Sequence, residues 1–272
     1  MKKIYISADL EGLNGVANFK QVLPEYKEYY LPTIIQLHKE LNALIKGLKK
    51  AGIGDIVVND AHNTMDNIKL GELDDNITLI SGKPKEISMM YGLDESFDGV
   101  IFFAYHSMAT SPSTLSHTFN MDFKKVLING KLISEAVLNG IYASIIGVPI
   151  ILATGCDIFC EDIKKEIGNI KTITTKKAIS HTAAIFRKNN ELLSEYEETA
   201  SLINEYPKCS ILVSDNYILE VDLNNKILAE NIANKLNCKF DNTNIIFETK
   251  NYRDLYIFLQ SVSKFVTNKN LL

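Results

Sequence analysis

The first apolar run of the chain is Ile4-Tyr5-Ile6-Ser7-Ala8, and Asp9 ends it. A short run of this kind, followed by a glycine-containing loop, is typical of a buried β-strand. An amphipathic helix is predicted from Pro32, because apolar residues then recur every three or four positions until Gly52. A second apolar run, Ile56-Val57-Val58, follows this helix. Strand, helix and strand in this order indicate a parallel βαβ unit.

Later apolar runs extend this alternation of strands and helices. We expect strands over residues 78–80, 100–103 and 148–153. Between them, Asn129-Gly130 separates two short apolar runs, which is the pattern of a β-hairpin with a two-residue turn. A helix is predicted from Ser134-Glu135 to residue 146. The sequence therefore predicts an α/β fold in which a mainly parallel central sheet is flanked by helices.

The second half of the chain carries a weaker pattern. Helices are predicted over residues 157–167, 179–186 and 191–204, and strands over residues 209–213, 217–221 and 245–248. This mixture indicates a smaller α+β C-terminal part. We expect residues 1–170 to form the α/β core and residues 171–272 to form the C-terminal part, with a single domain as the alternative.

The composition is that of an ordinary globular protein. Of the 272 residues, 46% are hydrophobic and 23% are charged, and the net charge is -4. The chain therefore lacks the excess of positive charge that holds nucleic acid or an anionic membrane, and we expect neither as a partner. No run reaches the ~18 apolar residues that a membrane-spanning helix needs. The apolar run after Met1 is also too short for a signal peptide.

Four cysteines, Cys156, Cys160, Cys209 and Cys238, are too few and too scattered for a disulfide framework. Cys156 and Cys160 have three residues between them, so a redox pair, additional metal ligands and buried free thiols are all open. The sequence favours buried thiols, because the usual dithiol and zinc motifs have two intervening residues. Unpaired cysteines are typical of reducing compartments, and we therefore expect a cytoplasmic protein.

Two carboxylates follow the first predicted strand. Asp9 and Glu11 are two residues apart, and because side chains alternate along a strand, both point to the same side. Like charges that share a small space repel unless a cation lies between them. The pair therefore indicates a metal site, and two solvated loop acids are the alternative.

Histidines follow two other predicted strands. His62 comes after the strand over residues 56–58, and His106 comes after the strand over residues 100–103. Parallel sheets gather their ligands at the carboxyl ends of the strands, so we expect these side chains to meet Asp9 and Glu11. His117 follows His106 by eleven residues, and Glu135 begins the predicted helix after the hairpin. A lone histidine at such a position is more often a hydrogen-bonded loop residue, but two at equivalent positions form a pattern.

Carboxylate and imidazole ligands without cysteine suit Zn²⁺ in a hydrolytic site, although Mn²⁺ or Co²⁺ would accept the same set. Five or six such ligands exceed what one tetrahedral zinc ion uses. Two metal ions that share a bridging carboxylate would use them all, and such a pair can hold a water and a carbonyl together. The sequence therefore favours a dinuclear site in the α/β core.

Several short motifs resemble those of the D-aminopeptidases of the dipeptide-transport operon (DppA type). The similar runs are Ser7-Ala8-Asp9-Leu10-Glu11-Gly12, Val58-Asn59-Asp60-Ala61-His62, Tyr105-His106, Leu115-Ser116-His117, Ser134-Glu135 through Asn139, and Gly147-Val148-Pro149. The resemblance implies two zinc ions per subunit, held by residues Asp9, Glu11, His62, His106 and Glu135, with Asp9 bridging. It also implies that His117 is catalytic. A ring-like homo-oligomer of ten subunits that encloses the active sites is implied as well.

The predicted function is that of a zinc metallopeptidase, an aminopeptidase that removes the N-terminal residue from short peptides. The preference for a D-amino acid at that residue comes from the resemblance alone. A two-metal phosphoesterase is one alternative, but no Arg or Lys adjoins Asp9, His62, His106 or Glu135 to bind a phosphate. A non-catalytic metal-binding oligomeric scaffold is the other, in which the same residues would hold a structural ion.

Overall fold

The computed structural model describes residues 1–268. In chain order, the strands of this part are β1 (Lys3–Ala8), β2 (Asp55–Asp60), β3 (Ile77–Ile80), β4 (Gly99–Tyr105), β5 (Phe123–Ile128), β6 (Lys131–Leu132), β7 (Ile150–Cys156), β8 (Lys171–Ser180), β9 (Ala183–Phe186), β10 (Tyr217–Leu223), β11 (Lys239–Asp241) and β12 (Asn244–Thr249). The α-helices are α1 (Lys27–Lys50), α2 (Glu135–Ile146), α3 (Asp157–Ile167), α4 (Asn189–Ser201), α5 (Lys226–Leu236) and α6 (Tyr252–Thr267).

Seven strands form a large sheet in the order β3-β2-β1-β4-β7-β8-β9. Every neighbouring pair is parallel except β8 and β9, which are antiparallel. Successive residues of β1 face opposite sides of this sheet. Ile4 and Ile6 pack in one apolar core with α1 and α4, whereas Tyr5 packs in a second core with α2, α3 and α6. The prediction of a mainly parallel α/β fold is therefore confirmed.

The first helix begins earlier than the sequence pattern indicates. We predicted a helix from Pro32, but α1 already begins at Lys27 and includes the proline. Lys27 to Leu31 contribute no fully buried side chain, so this first part of the helix has no apolar periodicity to detect. The buried stripe starts at Thr33 and Ile34, where the prediction found it.

Five strands form a small antiparallel sheet in the order β11-β12-β10-β5-β6. The predicted hairpin is present as β5 and β6, and Asn129 and Gly130 have φ angles of 52° and 76°, as the tight turn requires. Strands from both sides of residue 170 pair within each sheet, because β8 and β9 join the large sheet and β5 and β6 join the small one. The division of the chain at residue 170 stays a prediction.

Two elements predicted in the second half are wrong. Residues 179–186 do not form a helix, since they contain the end of β8, a turn and β9. Residues 209–213 do not form a strand, because only Cys209 makes a bridge, to Ile150, and Leu212 is 94% exposed. None of the helices in residues 1–268 combines the length and apolar character needed to span a bilayer.

Candidate metal centre

Three adjacent strands end at the same edge of the large sheet and bring four of the predicted site residues together. Ala8 at the end of β1 pairs with Asp60 of β2 and Phe103 of β4. The backbone continues the ladder beyond this point, because the Asp9 N–H donates to the Phe103 carbonyl at 2.9 Å. Asp9, Glu11, His62 and His106 therefore leave neighbouring strands side by side, as predicted from the sequence.

Glu135 approaches the same point from a helix. It is the first residue of α2, which follows the β5–β6 hairpin, and the Ser134 hydroxyl caps this helix by accepting from the Val137 N–H at 3.2 Å. The Phe119 N–H donates to Glu135 Oε1 at 2.6 Å. This bond ties the carboxylate to the loop that carries His117, so the last two predicted residues also join the cluster.

Five of the six side chains form two overlapping groups that share one aspartate. Asp9, Glu11 and His62 offer ligand atoms within 4.8 Å of one another, and so do Asp9, His106 and Glu135. His62 Nδ1 lies 3.1 Å from Asp9 Oδ1 and 3.2 Å from Glu11 Oε2. His106 Nε2 lies 3.5 Å from Asp9 Oδ2 and 3.4 Å from Glu135 Oε1. The two oxygens of Asp9 thus face two different sets of partners.

A backbone carbonyl fixes the orientation of each histidine ring. His62 Nε2 lies 2.7 Å from the Val22 carbonyl, His106 Nδ1 lies 3.0 Å from the Ser107 carbonyl, and His117 Nδ1 lies 2.9 Å from the Leu115 carbonyl. A carbonyl only accepts, so each of these nitrogens carries the proton. The other ring nitrogen therefore faces the cluster and, once it has lost its proton, could bind a metal through its lone pair.

The donor set fits a metal. Asp9 Oδ2, Glu11 Oε2 and His106 Nε2 are buried and make no hydrogen bond among the residues that the structure describes. Buried polar atoms are costly without a partner, and a cation between them would satisfy all three. Oxygen and imidazole nitrogen donors without sulfur are ligands that zinc accepts in hydrolytic sites.

The electrostatics of the cluster indicate the same need for a cation. Burial, reinforced by the charge of Glu11, raises the pKa of Asp9 to about 7. Burial opposes protonation of His106, but the carboxylates of Glu135, Glu11 and Asp9 together outweigh it, so the pKa of His106 is raised to about 10. Protons therefore occupy the positions that a metal would take, and metal binding would displace them.

His117 differs from the other five residues. Its side chain is 15% exposed, whereas theirs are 2–8% exposed. Its ring stacks on His106 with centroids 4.0 Å apart, and its Nε2 lies 3.7 Å from Glu135 Oε1. Burial and the neighbouring His106 lower the pKa of His117, so this ring is neutral at pH 7. A third group of possible ligands, Glu11, His106 and His117, also includes it.

The residues that hold the site residues in place were not predicted from the sequence. The carbonyl that orients His62 is the backbone carbonyl of Val22. Every residue type has such a group, so the sequence gives no sign of this contact. Thr175 and Lys176 of β8 donate to the loop that follows Asp9. They were not found because β8 itself was not predicted.

The cysteines take no part in this cluster. All four are free thiols, and Cys156, Cys160 and Cys209 are buried. Cys156 Sγ lies 2.9 Å from the Ser113 hydroxyl, and burial raises the pKa of Cys160 to about 12. The prediction of buried thiols for Cys156 and Cys160 is therefore confirmed.

Known proteins are similar to this chain in both sequence and fold. A D-aminopeptidase from Bacillus subtilis (strain 168) is 29% identical over 260 residues, which are 93% of this chain and 94% of the relative. The fold also matches a solved structure described as the Zn-dependent D-aminopeptidase DppA from Bacillus subtilis, a self-compartmentalizing protease. That match has a TM-score of 0.91 and 26% identity, and it covers 98% of both chains.

A family profile agrees with these relatives over nearly the whole chain. The profile, Peptidase M55, is described as D-aminopeptidase and matches residues 1–261. This range contains all six clustered side chains and both sheets. The chain therefore belongs to the M55 peptidases, the family of D-aminopeptidases.

Proposed function

We propose that the chain is a zinc-dependent aminopeptidase that removes an N-terminal D-amino acid from short peptides, with two zinc ions per subunit. The observation that carries the proposal is the pair of overlapping ligand groups that share Asp9. One group alone would satisfy a single ion and leave the other side of Asp9 without a partner. The zinc dependence of the solved relative supports the choice of metal.

Asp9, Glu11 and His62 would hold one zinc ion, and Asp9, His106 and Glu135 would hold the other. When bound, zinc supplies Lewis acidity, which activates a water molecule and polarises the scissile carbonyl. The protein holds these ligands rigidly, because each carboxylate or imidazole is fixed by a strand end, a helix N-terminus or a backbone carbonyl. Burial of the ligands keeps bulk water away and strengthens the charge interactions within the site.

His117 is the proposed catalytic residue. Its Nδ1 proton is held by the Leu115 carbonyl, so Nε2 is free to accept a proton from the attacking water and to return it to the leaving amine. The neutral state that its lowered pKa gives at pH 7 suits the first of these steps. His117 is also the most exposed of the six residues, as expected for a group that must meet substrate.

Two basic residues that contact the loop after Asp9 are already engaged by other groups, which argues against the phosphoesterase alternative. Lys176 donates to backbone carbonyls, and Arg187 donates to Glu195 and to the Thr174 carbonyl. Neither side chain is free to hold a phosphate at the centre. A purely structural metal site would not need a neutral, partly exposed histidine stacked on a ligand, which argues against the scaffold alternative.

Metal analysis combined with hydrolysis assays tests the proposal. The zinc-loaded protein should contain close to two zinc ions per chain and hydrolyse a D-alanyl dipeptide faster than the L-alanyl one. It should leave a phosphodiester intact, and a chelator should abolish the hydrolysis. A saturated content of one ion would refute the dinuclear site, and preferential phosphodiester hydrolysis would refute the aminopeptidase.

We further propose that the chain assembles into a ring-like homodecamer that encloses its active sites. The solved relative is described as self-compartmentalizing, which supports self-association. This chain exposes large apolar side chains at two places that could meet another copy: Ile179, Ile185 and Phe186 on β8 and β9, and Tyr29, Leu31 and Ile35 on α1. The four free thiols support the proposed cytoplasmic location.

A further inference from the structure

Lys176 is a buried lysine whose ammonium contacts backbone carbonyls. It lies in β8 and is 1% exposed. Its ammonium donates to three backbone carbonyls, those of Glu11, Leu13 and Val16, and the bond to Leu13 measures 3.1 Å. None of the ion pairs within residues 1–268 includes it. The three donors of the ammonium are therefore matched by three acceptors of one loop.

The same loop is held from two further directions. The Thr175 hydroxyl, next to Lys176 in β8, donates to the Gly12 carbonyl. On the opposite side, the Gly12 N–H donates to the Ala104 carbonyl of β4 at 2.7 Å. A Cβ atom at Gly12 would overlap the carbonyl oxygens of Ala104 and Tyr105, so the loop lies directly against the end of β4. The backbone of Glu11 is thus fixed between β4 and β8.

The burial of the Lys176 ammonium costs free energy, and the packing of the core alone does not explain it. Burial of an ammonium is unfavourable unless hydrogen bonds compensate it, and an apolar side chain of similar length would fill the same volume but leave the three carbonyls without this donor. Hydrogen bonds from a charged donor are about twice as strong as neutral ones and are short, so they fix the acceptors closely. The acceptors here begin at Glu11, one of the proposed zinc ligands.

We propose that Lys176 is a positioning residue of the metal centre, which holds the loop of residues 11–16 so that Glu11 completes the Asp9–Glu11–His62 group. The inference rests on the proposed function. The Asp9–His106–Glu135 group depends instead on β1, β4 and α2, and does not use this loop. Loss of Lys176 should therefore weaken one zinc site and spare the other.

The variant Lys176→Met tests this inference, with Thr175→Val as the matched control, since Thr175 provides one neutral bond to the same loop. In metal-free protein, amide hydrogen exchange of residues 11–16 should be at least tenfold faster in Lys176→Met, and should remain near wild type in β4 and α2. The zinc content should fall from two to one ion per chain. Thr175→Val should retain two ions and show a smaller increase in exchange.

A second variant covers the case in which Lys176→Met does not fold. Lys176→Arg keeps the charge, but its planar guanidinium does not match three converging carbonyls. We expect this variant to fold. In chelator competition, its Asp9–Glu11–His62 group should bind zinc at least tenfold more weakly than that of the wild type. Unchanged loop exchange in Lys176→Met, or wild-type affinity for both ions in Lys176→Arg, would overturn the inference.

Wild-type measurements keep the two proposals separate. If wild-type protein binds a single zinc ion or does not hydrolyse D-alanyl peptides, the proposed function fails. The hydrogen-exchange comparison is made without metal or substrate, so it still decides whether Lys176 holds the Glu11 loop.

Discussion

His117 stacks on His106, and we expect it to lie beside the proposed zinc ligands without binding a zinc ion itself. His117→Ala should therefore keep both zinc ions and lower turnover of a D-alanyl peptide by ~10²-fold or more, the usual scale for loss of an acid–base group. Zinc content by mass spectrometry and steady-state kinetics measure the two effects. His181→Ala, a change of an exposed histidine on the β8–β9 turn, serves as the control. Loss of zinc from His117→Ala would make this residue a ligand.

Asp9 is the residue on which both proposed zinc sites depend. Asp9→Asn keeps the size of the side chain but removes its charge and one of the two acceptors that face the histidines. We expect this variant to lose both ions, whereas Glu135→Gln should lose one, because Glu135 belongs to a single group. Equilibrium dialysis against zinc distinguishes the outcomes. Retention of one ion by Asp9→Asn would contradict the bridging role.

The site was more predictable than its supports. Four of the six clustered side chains were found because they follow strand ends, where parallel sheets collect ligands. His117 and Glu135 do not follow strands of this sheet, and their roles were taken from the resemblance to the D-aminopeptidase family. The support of the site comes from the Val22 carbonyl and from Lys176, which are distant in sequence from the ligands they hold. Such contacts depend on tertiary structure, and a single sequence carries no spacing that reveals them.

At the scale of the elements, prediction succeeded where burial is periodic. The strands and helices of the first half have apolar residues on well-defined faces, and their order implied the parallel sheet. Residues 179–186 were mistaken for a helix because Ile179, Ala183 and Phe186 are spaced by four and three positions. In the structure Ile179 lies on β8 and Phe186 lies on the edge strand β9, and both side chains are exposed.

Two helices near the C-terminus were missed although one carried a clear signal. In α6, residues Tyr252, Leu255, Tyr256, Leu259 and Val262 are buried at helical spacing. In α5 only three small or β-branched residues are buried, namely Ala229, Ile232 and Ala233, so its pattern is weaker. The first omission could have been avoided from the sequence alone, and the second could not.

Glu40 joins α1 to α4 and to the loop after Asp9. Its carboxylate accepts from the Asn14 N–H at 2.9 Å, from Gln36 Nε2 at 2.6 Å and from the Tyr196 hydroxyl at 3.1 Å. Burial raises the pKa of Glu40 from 4.5 to about 7. As the pH rises from 4.5 to about 7, Glu40 loses its proton in the unfolded chain but keeps it in the folded protein. Over this range Glu40 therefore lowers the stability of the folded protein.

Glu40→Gln should remove this pH dependence while keeping an acceptor for Asn14. We expect the free energy of unfolding of the variant, relative to wild type, to increase by up to about 3 kcal/mol from pH 4.5 to 7 and to level off above pH 7. Urea unfolding of both metal-free proteins across this range measures the difference. A constant difference would show that Glu40 ionises normally in the folded state.

For the whole molecule, the exposed apolar side chains of β9 provide a test of self-association. Ile185 is 58% exposed on the edge strand of the large sheet. Ile185→Glu should reduce the assembly to smaller species in light scattering, because a charge would be buried in the contact. Ile227→Glu, which changes a 70% exposed residue of α5, is the matched control and should leave the size unchanged. A monomeric wild-type protein would refute the assembly itself.

The contacts between β8 and the loop after β1 span about 165 residues of chain. All six clustered side chains lie within the first 135 residues and therefore leave the ribosome well before Thr175 and Lys176 do. A nascent chain that ends before β8 carries the complete set of proposed ligands, but its Glu11 loop lacks the hydrogen bonds from Thr175 and Lys176. We therefore expect this contact to fix the order of events during synthesis, with stable metal loading of the Asp9–Glu11–His62 group only after β8 has emerged and paired with β7.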